Sequence, residues 1–168
     1  MANELRLREL VGSDLVALMA LYRSLHSNDQ RIEGDRAAEV WTEILADPRQ
    51  LHLGAFVGEE LVAACAVAII PNLTRGGRPY AVIENVVTSS ALRRRGYGTT
   101  LLRAAIDRCW LRDCYKIMLM SAADRPEAHL FYESLGFDRR SKNLSGAILW
   151  KYLGASARTK RKRRIFSE

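Results

Sequence analysis

The sequence predicts a mixed α/β fold built on one central sheet, and three observations carry that prediction. Leu51 to Val57 and Leu61 to Ile70 are apolar runs separated only by Gly58-Glu59-Glu60, a loop of the length used in antiparallel hairpins. Tyr80 to Thr88 and Tyr115 to Met120 are two further strand-like runs joined by a stretch of helical periodicity, which implies a parallel pair and a right-handed crossover. Other segments repeat apolar residues every three or four positions, so helices flank the sheet. At 168 residues the chain is the size of one domain.

Each element has its own local signal. Leu5 and Leu7 alternate with Arg6 and Arg8, the period of a half-exposed strand near a sheet edge. Ser13 or Asp14 caps a helix whose stripe is Leu15, Leu18, Met19, Tyr22 and His26. Asp35 caps a second, with Ala37, Val40, Trp41, Ile44 and Leu45 on its apolar face and Asp47-Pro48 at its end. The run Leu61 to Ile70 is apolar on both faces and reads as a central strand, and Pro71 to Pro79 reads as a loop. In the strand Tyr80 to Thr88, the polar pair Glu84 and Asn85 must be satisfied or useful. After a turn bearing Arg93, Arg94, Arg95, Gly96 and Gly98, a helix carries Leu102, Ala105, Ile106, Cys109 and Trp110. Asp124 or Arg125-Pro126 opens a fourth helix in which Leu130, Phe131 and Leu135 pack inward, and Gly136 ends it. Phe137 begins the last strands, and Gly146 to Leu153 is the final one.

Composition narrows the function classes. Hydrophobic residues make up 48% and charged residues 27%, as in a soluble globular protein, and no apolar run approaches the roughly 18 residues that span a bilayer. The N-terminus turns polar at once without a signal-peptide core, so the expected location is the cytoplasm. Cys65, Cys109 and Cys114 lack C-x-x-C spacing, and His26, His52 and His129 are scattered singly; neither a disulfide framework nor a metal site is expected. Of the formal charge of +7, the tail Gly154 to Glu168 holds +5, leaving +2 on residues 1–153. A nearly balanced body is poor footing for a nucleic-acid surface. The tail run Arg158 to Arg164 could bind nucleic acid or an acidic surface at low salt, and its plainer role is to solubilise.

The arginine turn leads from a strand into a helix, where unpaired first-turn amides and the macrodipole favour a bound anion. Glycines there have no Cβ to obstruct it, and successive amides form a concave nest. This Arg93-x-x-Gly96-x-Gly98 turn, followed after the next strand by Phe131-Tyr132-Glu133-x-Leu135-Gly136-Phe137, resembles the GNAT acetyltransferase superfamily. Within it, I-E-N-V-V at 83–87 together with C-Y-K-I-x-L at 114–119 is similar to glucosamine-6-phosphate N-acetyltransferases and small bacterial relatives. The resemblance covers residues 1–153 and implies the GNAT fold, a mixed sheet of six or seven strands with about four helices.

It implies further that acetyl-CoA is the cosubstrate and that Arg93, Arg94, Arg95, Gly96, Tyr97, Gly98, Thr99 and Thr100 hold its pyrophosphate. Val86, Val87 and Thr88, on a strand splayed from its neighbour, would offer backbone groups to the pantetheine arm and thioester carbonyl. Tyr132 matches the tyrosine that protonates the departing thiolate. Glu84 is either the base that deprotonates the acceptor ammonium or a structural carboxylate paired with an arginine. Ser121, at a strand end, is a candidate pantetheine contact, and His129 either lines the thiol channel or lies on the surface. The acceptor, a primary amine on a small molecule or amino sugar, is expected between the first two helices and the loop before the fourth strand, about residues 26–35 and 72–79. Arg75 and Arg78 would there either bind an acidic acceptor or remain solvated loop residues. A homodimer is left open, as is a catalytically silent coenzyme A-binding domain.

Overall fold

The computed structural model describes residues 4–25, 30, 32, 34–142 and 147–152. Its elements are β1 (Leu5–Glu9), α1 (Leu15–Tyr22), α2 (Gly34–Ala46), β2 (Gln50–Val57), β3 (Glu60–Ile70), β4 (Tyr80–Thr88), α3 (Tyr97–Leu111), β5 (Ile117–Ala122), α4 (Pro126–Ser134), β6 (Asp138–Lys142) and β7 (Ala147–Tyr152). They form one seven-stranded sheet in the order β1-β2-β3-β4-β5-β7-β6. β4 and β5 are parallel and every other pair is antiparallel, so the strand-helix-strand crossover sits at the centre of the sheet. His26 and the tail from Gly154 onward lie outside the described residues, as do residues 27–29, 31 and 33 of the expected acceptor wall.

The sheet separates two apolar clusters. On one face Leu101, Leu102, Ala105 and Cys109 of α3 pack on Leu53, Val67, Ile83 and Leu119, and Tyr132, Leu135 and Phe137 join them. On the other face Leu18 and Leu21 of α1 and Trp41 of α2 pack on Phe56, Leu61, Ala64 and Val87. β3 is buried on both faces, as its unbroken apolar run requires. Arg8 grips Asp14 through two hydrogen bonds of 2.6 and 2.9 Å, and Asp14 also accepts from the Val11 amide at 2.7 Å. That clamp ties the start of α1 to β1. Gly54 lies beneath, where a Cβ would meet Leu10 Cδ2 at 2.5 Å and Leu61 Cδ1 at 2.8 Å.

Several boundaries differ from the sequence reading for local reasons. β5 begins at Ile117 rather than Tyr115, because the Tyr115 amide bonds to the Pro79 carbonyl at 2.9 Å and the chain is still leaving the left-handed residue Asp113 (φ 56°). Asp35 lies inside the first turn of α2, not at its cap. Leu130 and Leu45 face outward, at 69% and 42% exposure, since Phe131 and Tyr132 take the inner face of α4 and Trp41 that of α2. α4 ends as expected: Gly136 adopts φ 98°, its amide bonds to Glu133 O at 2.9 Å, and Phe137 N bonds to Tyr132 O at 3.1 Å. This is the Schellman arrangement, and it folds Phe137 back under Tyr132. Among the described residues no helix is long and apolar enough to cross a membrane.

Candidate active site

β4 and β5 pair only over Ala81–Ile83 and Ile117–Leu119. Beyond Ile83 the two parallel strands separate, and the β5-facing edge of β4 has no strand partner across a wedge-shaped opening. On its other edge β4 carries a bulge: Ala66 pairs with Glu84 and Ala64 with Val87, so Asn85 and Val86 stand opposite Cys65 alone. Asn85 takes the left-handed conformation, φ 52°, which asparagine tolerates better than most residues with a Cβ. The splay that the resemblance implies is therefore present, and a bulge accompanies it.

The arginine turn closes the open end. After a short turn of 3-10 helix at Ser90–Leu92, Arg94 (φ 61°) and Gly96 (φ 84°) adopt left-handed conformations, and Gly96 caps α3. The first-turn amides of α3, at Tyr97, Gly98 and Thr99, point out of the helix start, as geometry requires. Thr100 bonds back to Gly96 O through its amide at 3.0 Å and its hydroxyl at 3.1 Å, which fixes the turn. The two glycines work differently. A Cβ at Gly96 would meet nothing within 4 Å, so glycine is needed there for its conformation; a Cβ at Gly98 would lie 2.9 Å from Thr88 Oγ1 and 3.7 Å from Phe131 Cζ, so glycine is needed there for close packing. Arg93 reaches the Thr88 carbonyl at 3.4 Å, while Arg94 and Arg95 are exposed and have no ion pair among the described residues. A nest, a helix start and free guanidinium groups together suit a phosphate-bearing ligand.

The remaining candidates line the opening. Tyr132 is 8% exposed and packs against Phe131 and Phe137, with ring centroids at 5.4 and 6.1 Å. Burial pushes its phenol up to about 12; nearby Arg125 offsets this, and the Glu84 carboxylate and Cys65 reinforce it. Glu84 is exposed to the cleft rather than buried, and partial desolvation raises its carboxyl above the ordinary value. No arginine pairs with it among the described residues. By strand register, Glu84, Ala66 and His52 form one cross-strand row on the α1/α2 face, whereas Tyr132 belongs to the α3 cluster. The electrostatic influence of Glu84 on Tyr132 thus acts through the gap between β4 and β5.

Val87 is buried and its side chain packs under α1, so only its backbone is available to a ligand. Ser121 lies past the last β4–β5 pair, half-buried, opposite Ile148 of β7. His129 Nε2 donates to the Ala122 carbonyl at 2.8 Å, which ties α4 to the end of β5. The two loop arginines are engaged elsewhere: Arg78 bonds to Asp113 at 2.9 Å and to the Cys114 carbonyl at 3.3 Å, and Arg75 lies over the Tyr115 ring. Among the described residues no group of His, Cys, Asp or Glu is arranged to hold a metal.

Next to Asn85 opens a cavity of about 280 Å³ between α1, α2 and the sheet. Leu15, Leu18, Val40, Trp41 and Ile44 supply much of its wall, and Tyr22, Arg23, Gln30, His52 and Asn85 its polar side chains. The sequence reading takes Tyr22 as one member of an apolar stripe and His52 as a lone histidine, while Asn85 stands out only as half of the polar pair in its strand. A detectable signal was the polar His52 inside the apolar run L-H-L of β2. Tyr22 Oη and His52 Nδ1 are buried without a hydrogen-bond partner among the described residues. The Asn85 side chain is near enough to lower the Tyr22 phenol slightly, without reaching hydrogen-bond geometry, while burial carries that phenol up to about 12.

Known proteins share this fold. Residues 15–137 match the Acetyltransferase (GNAT) family. Glucosamine 6-phosphate N-acetyltransferase of Trypanosoma brucei brucei is 34% identical over 85 residues, 50% of this chain and 55% of that protein, so the chain spans about half the length of this curated relative. A protein from Agrobacterium tumefaciens str. C58, provisionally assigned as an acetyltransferase, superposes with a TM-score of 0.79 at 40% identity over 83% of this chain and 96% of that one. Glucosamine-6-phosphate N-acetyltransferase from Arabidopsis thaliana shares the fold, with a TM-score of 0.75 at 21% identity over 84% of this chain and 96% of that one. With the family match covering most of the sheet and both motifs falling inside it, this chain belongs to the GNAT acetyltransferase family.

Proposed function

We propose that the chain transfers the acetyl group of acetyl-CoA directly to a primary amine on a small molecule, with both substrates bound together. The observation that carries this reading is the shared opening: past Ile83 the edge of β4 that bears Glu84 has no strand partner among the described residues, the nest at the start of α3 lies beyond it, and Glu84 bears on the buried Tyr132 phenol. The amides of Tyr97, Gly98 and Thr99 would hold the pyrophosphate, with Gly96 setting the turn, Arg93, Arg94 and Arg95 supplying charge and Thr100 fixing it. The unpaired edge of β4 at Val86, Val87 and Thr88 would hold the pantetheine arm, with Ser121 opposite. The cosubstrate supplies an acetyl thioester.

The residues then divide the proton work. Glu84 accepts a proton at its carboxylate from the acceptor ammonium, directly or through water, and the freed amine attacks. Backbone amides along β4 stabilise negative charge developing on the carbonyl oxygen. Tyr132, held protonated at neutral pH by its burial, donates its hydroxyl proton to the departing sulfur. Desolvation at Glu84 brings the base closer to the operating pH, where general-base catalysis is most effective.

A thiol-release assay with acetyl-CoA and a panel of amines, amino sugars and peptides tests this. Tyr132→Phe is expected to lower kcat about 100-fold while leaving acetyl-CoA affinity within about two-fold. Equal kcat in the variant would remove the acid role. Binding of acetyl-CoA without transfer to any acceptor would mark a silent domain, and transfer only to protein lysines would overturn the small-molecule assignment.

A further inference from the structure

We infer that the acceptor carries its amine on a compact, largely apolar, ring-bearing body with a hydrogen-bonding group at the far end; this rests on the acetyltransferase reading above. The cavity beside Asn85, about 280 Å³, is walled largely by aliphatic side chains and Trp41. Walls of this kind favour apolar surface.

The polar side chains among the described lining residues are Tyr22, Arg23, Gln30, His52 and Asn85. Tyr22 Oη and His52 Nδ1 lie at the cavity wall, buried and without partners among the described residues. Leaving such atoms unpaired is costly, so a ligand that satisfies them gains specificity. His52 stands two strands from Glu84 in the row through Ala66, which sets about 10 Å between the amine end and the polar end. Trp41 meets the His52 ring edge-on with centroids 5.1 Å apart, and the indole is the surface on which a ring would rest.

Charge argues the same way. Among the described residues the single cation lining the cavity is Arg23, exposed at the end of α1. Arg78 is held by Asp113 and Arg75 lies over Tyr115, so neither lines it. Among the described residues a phosphate would meet one guanidinium, at the rim.

The test compares tyramine, phenethylamine, glucosamine 6-phosphate and spermidine by thiol release and by calorimetric binding. Tyramine is expected to give kcat/KM at least 10-fold above glucosamine 6-phosphate and spermidine, and about five-fold above phenethylamine. Tyr22→Phe with His52→Phe should erase the tyramine-over-phenethylamine preference. Val40→Phe, and separately Ala37→Trp should the first fold poorly, should raise KM for both aryl amines about 10-fold with acetyl-CoA affinity unchanged. Turnover of glucosamine 6-phosphate or spermidine in preference to the aryl amines would overturn the inference and leave the acetyltransferase reading standing. If no amine is turned over, that reading fails, and calorimetry decides the cavity: aryl-amine binding lost in Val40→Phe supports the inference, and no binding to the wild-type chain overturns it.

Discussion

Gly96 and Gly98, two residues apart, fail for different reasons when a methyl group is added. At Gly96 the cost is conformational, on the order of 1–2 kcal/mol for a left-handed alanine, and no neighbour needs to move. At Gly98 the new Cβ meets Thr88 Oγ1, on a β-branched side chain with little freedom, so the start of α3 must lift from β4. Gly98→Ala is therefore expected to raise KM for acetyl-CoA about 10-fold, and Thr88→Ala in the same chain to restore most of it. Gly96→Ala should weaken binding without rescue by Thr88→Ala. Initial-rate kinetics on the four variants separate these outcomes, and rescue of both glycines or neither would refute the distinction. The sequence marked both glycines as a pair that admits an anion; which one faces open space and which faces Thr88 depends on how α3 lies on β4, and that is invisible in a local pattern.

β4 shows how much of an element can be read and where reading stops. Its boundaries, Tyr80 to Thr88, agree with the apolar run, and Glu84 and Asn85 stood out because polar residues interrupt it. The bulge could not be read, because it is a property of pairing with β3, whose sequence around Cys65 is uniformly apolar. Nor could the separation from β5, since nothing between Leu119 and Ala122 disfavours a strand. The left-handed Asn85 makes the bulge testable. Asn85→Gly keeps the conformation and is expected to change stability by less than about 1 kcal/mol, whereas Asn85→Val forces a β-branched residue to positive φ and should cost about 1–3 kcal/mol. Urea unfolding measures both. A valine variant as stable as the glycine variant would show that the backbone strain has been relieved by shifting the bulge.

At the scale of the whole molecule the sheet is a partition, with the arginine turn and Tyr132 on the α3 side, the cavity lined by Tyr22 and His52 on the α1/α2 side, and the β4–β5 gap between them. The order of elements made the central crossover legible, but the placement of β7 between β5 and β6 and the convergence of Tyr22, His52 and Asn85 were not, because both arise from contacts between segments far apart in the chain. His52 links this partition to stability. Burial lowers its pKa below the ordinary value of about 6.5, while in the unfolded chain that value is restored. Between the two values the unfolded state binds the extra proton, so unfolding free energy rises with pH; the contribution is complete above about pH 6.5 and is lost as pH falls through the lowered folded value. Urea titrations of the wild-type chain and His52→Gln at pH 7.5 and 5.5 are expected to show the wild type losing more stability than the variant on acidification. The clamped pair Arg8–Asp14 does not confound the comparison, since Asp14 is held below the ordinary carboxylate range by its arginine and stays ionised across that window. Equal losses in the two chains would mean that His52 can be protonated in place, through water entering the cavity it lines.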